Sequence, residues 1–78
     1  MEVERKRVYL LLGSNLGDRE GILAQAISDI ALEIGPLHAV SSFYETAAWG
    51  NEDQPSFMNV ALGVETTLMP DSFNIFTN

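Results

Sequence analysis

Residues 8–18 have the sequence VYLLLGSNLGD, and this stretch decides the fold of the chain. Its first half is a continuous apolar run, with Val8, Leu10 and Leu12 on one face and Tyr9 and Leu11 on the other. A short apolar run without polar alternation is typical of a strand that is covered on both faces. Turn-forming residues follow the run, so we predict a central strand over residues 7–12 that leads directly into a helix.

The predicted helix begins at Arg19, because Asp18 is a good N-cap, and ends at Gly35-Pro36. Its apolar residues recur at the i, i+3, i+4 spacing of a single buried stripe. One face of the helix is therefore expected to pack against the sheet. The predicted stripe consists of Ile22, Leu23, Ala26, Ile27, Ile30, Ala31 and Ile34.

Two further strands are predicted over residues 37–46 and 57–67, with a loop over residues 47–56 between them. Pro70 lies near the first position of a second helix, which the sequence ends within two turns. The order is β-α-β-β with the stub of a second helix. This is an α+β arrangement that matches a truncated ferredoxin-like β-α-β-β-α-β unit. We expect residues 1–78 to form a single, incomplete domain, with the first strand covered by something outside it.

The distribution of charge excludes some classes of function. The net charge is -7, and the four basic residues all lie within the first 19 positions. Nucleic-acid binding is therefore not expected, and the chain is poorly equipped for phosphoryl transfer on its own. Cysteine is absent, and the longest apolar run is far shorter than the roughly 20 residues that span a bilayer. We expect a cytoplasmic protein that does not enter a membrane.

Asn59 is the most informative polar residue, because it lies in an otherwise apolar strand where its amide needs hydrogen-bond partners. Phe57 is on the same face, and Trp49 lies in the preceding loop. These residues suit a flat apolar slot with one amide at its rim, which would take a planar heterocycle. Alternatively, Asn59 satisfies loop backbone groups and the aromatic residues belong to the core.

The glycine-containing segment 13–18 has two interpretations. It precedes a helix, where backbone N–H groups can bind a phosphate, but it lacks the signature of a P-loop or of a dinucleotide site. A strand-to-helix turn with its cap is the favoured interpretation. No catalytic residue and no metal ligand is predicted, and His38 is interpreted as structural or exposed.

Two segments taken together resemble the 6-hydroxymethyl-7,8-dihydropterin pyrophosphokinase family. The first is residues 8–18, and the second consists of VSSFYET at 40–46, Gly50, and DQPSFMNVA at 53–61. The resemblance covers roughly residues 7–70. It implies a transferase (a kinase) of folate biosynthesis that moves pyrophosphate from ATP, with Mg²⁺, to the hydroxymethyl group of a pterin.

The resemblance also implies roles for individual residues in pterin binding. The backbone at Thr46 and Trp49 lines the pterin slot, Phe57 encloses the ring, and Asn59 contacts the pterin edge. Ala47 belongs to the same stretch, which has prolines and an aliphatic residue in many members of the family. These five residues are the predicted substrate-binding set.

The ATP and Mg²⁺ apparatus of the family includes an Asp-x-Asp pair, and this sequence contains no such pair. We therefore expect an N-terminal, pterin-binding half that is inactive alone, with ATP and Mg²⁺ implied by the family only. The alternative is a non-catalytic module that binds pterin or associates with itself through an open sheet edge.

Overall fold

A computed structural model describes residues 4–50 and 53–67. The predicted strand–helix–strand–strand order is confirmed, except that the second strand is divided into two. The predicted second helix at Pro70 lies outside the described residues. Within these residues, one helix and a four-stranded antiparallel sheet give an α+β fold that is consistent with a truncated ferredoxin-like arrangement. The elements are β1 (Lys6–Ser14), α1 (Arg19–Glu33), β2 (Leu37–Val40), β3 (Tyr44–Thr46) and β4 (Phe57–Thr66).

The sheet is organised around β4. On one side β4 pairs with β1 over the full length of β1, in antiparallel register. On its other side it pairs first with β3 and then with β2. Between these two short strands, the backbone N–H of Ser41 donates to the carbonyl of Ala61, and Ser41 Oγ accepts from the N–H of Ala61, both at 2.9 Å. Residues 37–46 therefore follow a single edge of β4 with one interruption.

The position of β1 differs from the prediction of a central strand. Within the described residues β1 pairs only with β4, and the strand order is β1-β4-β2. Tyr9 and Leu11 are 72% and 67% exposed on the face opposite α1, which we call the open face. The two-face pattern of β1 is confirmed, but an apolar run indicates the apolar character of both faces and does not determine strand order.

The core lies between α1 and the other face of the sheet. Most of the predicted helical stripe packs there, although Ile22 is 37% exposed at its margin. Burying one leucine side chain in such a core contributes about 1.5–3 kcal/mol. Alternate residues of β1 and β4 supply most of the buried apolar side chains of this core. The buried apolar residues are Leu10, Leu12, Leu23, Met58, Val60, Leu62 and Val64.

Both ends of α1 form as predicted. Asp18 Oδ1 accepts a hydrogen bond from the N–H of Gly21 at 3.1 Å, which satisfies one free donor of the first turn. At the other end Gly35 lies against the carbonyl of Glu65, where a Cβ atom would collide with that oxygen. The helix is thus held at both ends, and its first residue, Arg19, lies close to the start of β4.

Candidate functional site

Asn59 lies on the open face of β4 and is held by β3. Its Nδ2 donates to the carbonyl of Tyr44 at 3.2 Å and to Oγ1 of Thr46 at 2.9 Å. Tyr44 is the direct cross-strand partner of Asn59. The amide nitrogen is therefore used to fix the side chain against β3, and the orientation of the amide follows from those two bonds.

The carbonyl end of the Asn59 side chain has a different environment. Gly13 of β1 pairs with Asn59, and a Cβ atom at position 13 would lie 2.8 Å from Asn59 Oδ1 and 3.6 Å from Cδ1 of Phe57. A larger residue at position 13 would therefore crowd the amide oxygen. Oδ1 accepts no hydrogen bond from the described residues, among which every fully buried side-chain nitrogen or oxygen atom has a partner. Oδ1 is therefore an accessible acceptor on the open face.

The structure brings together three of the five predicted site residues. Thr46 pairs with Phe57, and both lie next to Asn59 on the open face. Phe57 is half-buried, so one part of its ring remains accessible. Ala47 is exposed and the side chain of Trp49 is 100% exposed, so neither packs against the other three residues.

Behind this group, a set of hydrogen bonds joins the start of α1 to β3 and to the residue before β4. We call Arg19, Glu45 and Ser56 the Arg19 network. Arg19 Nη1 donates to the carbonyl of Ser56 (2.8 Å), to Ser56 Oγ (3.0 Å) and to Glu45 Oε2 (3.3 Å). Ser56 Oγ in turn donates to Glu45 Oε2 at 2.7 Å. The hydrogen bond from Ser56, together with the charge and hydrogen bond of Arg19, lowers the pKa of Glu45.

The turn between β1 and α1 makes a second connection to the same region. Asn15 is buried, and its Nδ2 donates to Gln54 Oε1 at 3.3 Å and to the carbonyl of Pro55 at 3.5 Å. This supports a structural role for segment 13–18. Sequence reasoning did not identify Gly13, Asn15 or the Arg19 network, since their contacts span about 26 to 46 residues of sequence. The only available signal was that Arg19 is the single basic residue after Arg7.

The described residues do not fit the requirements of an ATP and Mg²⁺ site. They contain no group of three or more His, Cys, Asp or Glu residues that would hold a metal ion. Arg19, which is the basic residue at the start of α1, is already bonded to Glu45 and Ser56. Among the described residues, Arg19 is therefore not free to bind a phosphate group.

Comparison with known proteins shows the family. The chain matches the family described as 7,8-dihydro-6-hydroxymethylpterin-pyrophosphokinase (HPPK) over residues 9–76. The chain belongs to the HPPK family. The family resemblance predicted from residues 8–18 and 40–61 is thereby confirmed. No helix in the described part of this HPPK-family chain is long and apolar enough to cross a membrane.

Curated relatives agree with this assignment. A 2-amino-4-hydroxy-6-hydroxymethyldihydropteridine pyrophosphokinase of Porphyromonas gingivalis is 43% identical over 63 residues, which are 81% of this chain and 43% of the relative. The protein of the same name from Bacillus subtilis is 44% identical over 80% of this chain and 38% of its own length. The folic acid synthesis protein fol1 of Pneumocystis carinii is 33% identical over 88% of this chain and 9% of its own. The chain thus spans about two fifths of the bacterial pyrophosphokinases that it matches.

Proposed function

We propose that this chain carries the pterin-binding part of an HPPK and serves folate biosynthesis in that role. The observation that carries the proposal is the state of Asn59, which is fixed through its nitrogen while its oxygen stays accessible. The names of the relatives support the substrate class, since they refer to a hydroxymethyldihydropteridine and to folic acid synthesis.

The chemistry of a pterin suits this arrangement. A pterin is a flat heterocycle whose edge carries N–H and amino donors, and Asn59 Oδ1 is a fixed acceptor for one of them. The half-buried ring of Phe57 offers an aromatic surface beside that acceptor. Thr46 contributes by accepting from Nδ2, so that the amide presents its oxygen. Within this proposal Ala47 and Trp49 belong to the substrate-binding segment through their backbone.

The direct test is calorimetric titration with 6-hydroxymethylpterin of the wild-type chain and of Asn59→Ala. Loss of one hydrogen bond to a buried or oriented group costs about 1–3 kcal/mol, so the affinity should fall by about fivefold to more than a hundredfold. Gln25→Ala is the matched control, because Gln25 is an exposed amide on α1 that bonds only to Asp29 in the described residues. A folded Asn59→Ala variant that binds as tightly as Gln25→Ala would contradict the proposal.

We further propose that residues 1–78 do not transfer pyrophosphate on their own. The described residues offer no donor set for Mg²⁺ and no free basic side chain near Asn59. Binding of ATP and Mg²⁺ would then depend on residues in the part of the relatives that this chain does not match. A cysteine-free chain of this family is expected to act in the cytoplasm. An assay for ATP-dependent pyrophosphorylation of 6-hydroxymethyl-7,8-dihydropterin should show no turnover, and turnover in a clean preparation would refute this statement.

A second candidate function is self-association. β1 pairs on one side only within the described residues, and Tyr9 and Leu11 are exposed beside that edge. An unpaired strand edge next to exposed apolar side chains favours association with another strand. Sedimentation at increasing concentration would show a dimer under this alternative, whereas a compact monomer throughout would exclude it.

A further inference from the structure

Arg19 is in an unusual position for the one basic residue that follows Arg7. It is the first residue of α1, where a positive charge is unfavourable because the helix dipole is also positive at that end. Its side chain nevertheless bonds to three oxygen atoms, one from Glu45 and two from Ser56. A charge in this place calls for an explanation other than stabilisation of the helix.

The partners of Arg19 are the direct sequence neighbours of the site residues. Glu45 precedes Thr46, and Ser56 precedes Phe57. Thr46 and Phe57 form the last pair of the β3–β4 ladder. The Arg19 network therefore lies immediately behind the two strand ends that carry the candidate site.

Side-chain alternation separates the network from the site. Glu45 is the cross-strand partner of Met58, which is buried against α1, so Glu45 points to the helix side of the sheet. Thr46 and Phe57 point to the opposite, open face. Arg19 therefore does not contact a ligand on the open face, and any influence on binding passes through the backbone of residues 45–46 and 56–57.

We propose that Arg19 is a positioning residue for the pterin site: by bonding Glu45 and Ser56 it fixes the strand ends that present Thr46 and Phe57. The inference rests on the proposed function, because it concerns the same site. Since one guanidinium nitrogen serves both strand ends, the separation between Thr46 and Phe57 is set by the network as well as by the ladder. Asn15 supports the same strand end through Gln54 and Pro55.

The network is suited to positioning rather than to stability. Arg19 and Glu45 form a partly exposed ion pair, and such pairs contribute little to the free energy of unfolding. By contrast, a strand end that these hydrogen bonds do not hold must be ordered each time a ligand binds, and this ordering reduces the affinity. Removing the network should therefore cost more free energy of binding than free energy of unfolding.

The test compares Arg19→Ala with Arg7→Ala in the full chain. Arg7 forms the other ion pair of the described residues, with Glu65 at 3.5 Å, and Glu65 is remote from Asn59 in the β1–β4 register. Arg19→Ala removes all three hydrogen bonds of Arg19 and should weaken binding of 6-hydroxymethylpterin by about three- to tenfold, because the two strand ends must then be ordered on binding. Arg7→Ala should leave binding unchanged, and Arg19→Lys should restore part of it by keeping one charged donor.

A measurement without ligand separates this inference from the proposed function. Amide order parameters at Thr46 and Phe57 should fall in Arg19→Ala and stay at the wild-type value in Arg7→Ala. If wild type does not bind pterin, the proposed function fails for this chain and the amide measurement still decides whether Arg19 fixes the strand ends. If wild type binds and Arg19→Ala binds equally well with unchanged order at both amides, the inference alone is overturned.

Discussion

The two faces of β4 differ in polarity and in burial. On the face toward α1, the side chains of Met58, Val60, Leu62 and Val64 are buried and apolar. On the open face the same strand carries Asn59, with an accessible oxygen, and its neighbours are a glycine and a half-buried aromatic ring. The even-numbered residues of β4 from 58 to 64 thus pack the core, and the odd-numbered residues Phe57 and Asn59 contribute to the candidate site.

The largest expected effect comes from making the same substitution on the two faces of β1. Leu10 is 5% exposed in the core and its neighbour Leu11 is 67% exposed on the open face. Leu10→Ala should lower the free energy of unfolding by about 2–5 kcal/mol, because it leaves a cavity in the core. Leu11→Ala should change that free energy by less than about 0.5 kcal/mol.

Chemical denaturation of the two variants measures this difference directly. For a domain this small, the loss at Leu10 is comparable to the whole stability. Equal destabilisation by both substitutions would mean that the open face of β1 is covered, for example by a second copy of the chain. A midpoint of unfolding that depends on protein concentration in wild type, and less so in Leu11→Ala, would identify that case.

A smaller effect is expected from filling the space beside Asn59. The Cβ atom of Gly13→Ala would approach Asn59 Oδ1 to 2.8 Å, so the amide must move away from the position that β3 sets. We expect the affinity for 6-hydroxymethylpterin to fall about tenfold, which corresponds to about 1.4 kcal/mol.

A double variant provides the control for Gly13. Because the two residues are in contact, their effects should not add. Once Asn59→Ala has removed the amide, Gly13→Ala should cost no further affinity in calorimetric titration. Additive losses would show that position 13 acts on binding by a route that does not involve Asn59.

The Asn59 region also shows how far the sequence predicts this molecule. The strands and the helix were predictable because each depends on local periodicity and on caps such as Asp18. Alternation along one strand predicted that Asn59 and Phe57 lie on the same face of β4. Both Asn59 and Phe57 also lie in the second segment that carries the family resemblance.

What the sequence did not predict depends on contacts between distant residues. Periodicity does not encode strand order or register. The edge position of β1 within the described residues, the space above Gly13 and the Arg19 network all depend on these. Trp49 was expected to form one slot together with Phe57, and in the structure its side chain is fully exposed. A role for Trp49 and Ala47 in substrate binding remains a prediction.

The smallest expected effect concerns the titration of Glu45 on the helix side of β3. Its folded-state pKa lies below the ordinary value of 4.5, chiefly through the hydrogen bond from Ser56. The Arg19 network therefore contributes to the free energy of unfolding when the pH is above that ordinary value. This contribution is lost as the pH falls through the lowered pKa of Glu45. Carboxyl NMR titration should show the pKa of Glu45 rising in Ser56→Ala and unchanged in Arg7→Ala. An unchanged pKa in Ser56→Ala would contradict the hydrogen bond itself.

The most direct test of the account is NMR mapping of pterin binding on the isotopically labelled chain. Addition of 6-hydroxymethylpterin should shift the amide signals of Gly13, Tyr44, Thr46, Phe57 and Asn59, together with the side-chain amide of Asn59, and should leave the middle of α1 unchanged. Shifts confined to α1, or no shifts in a chain whose spectrum is that of a folded protein, would contradict the claim that the open face of β4 binds the pterin.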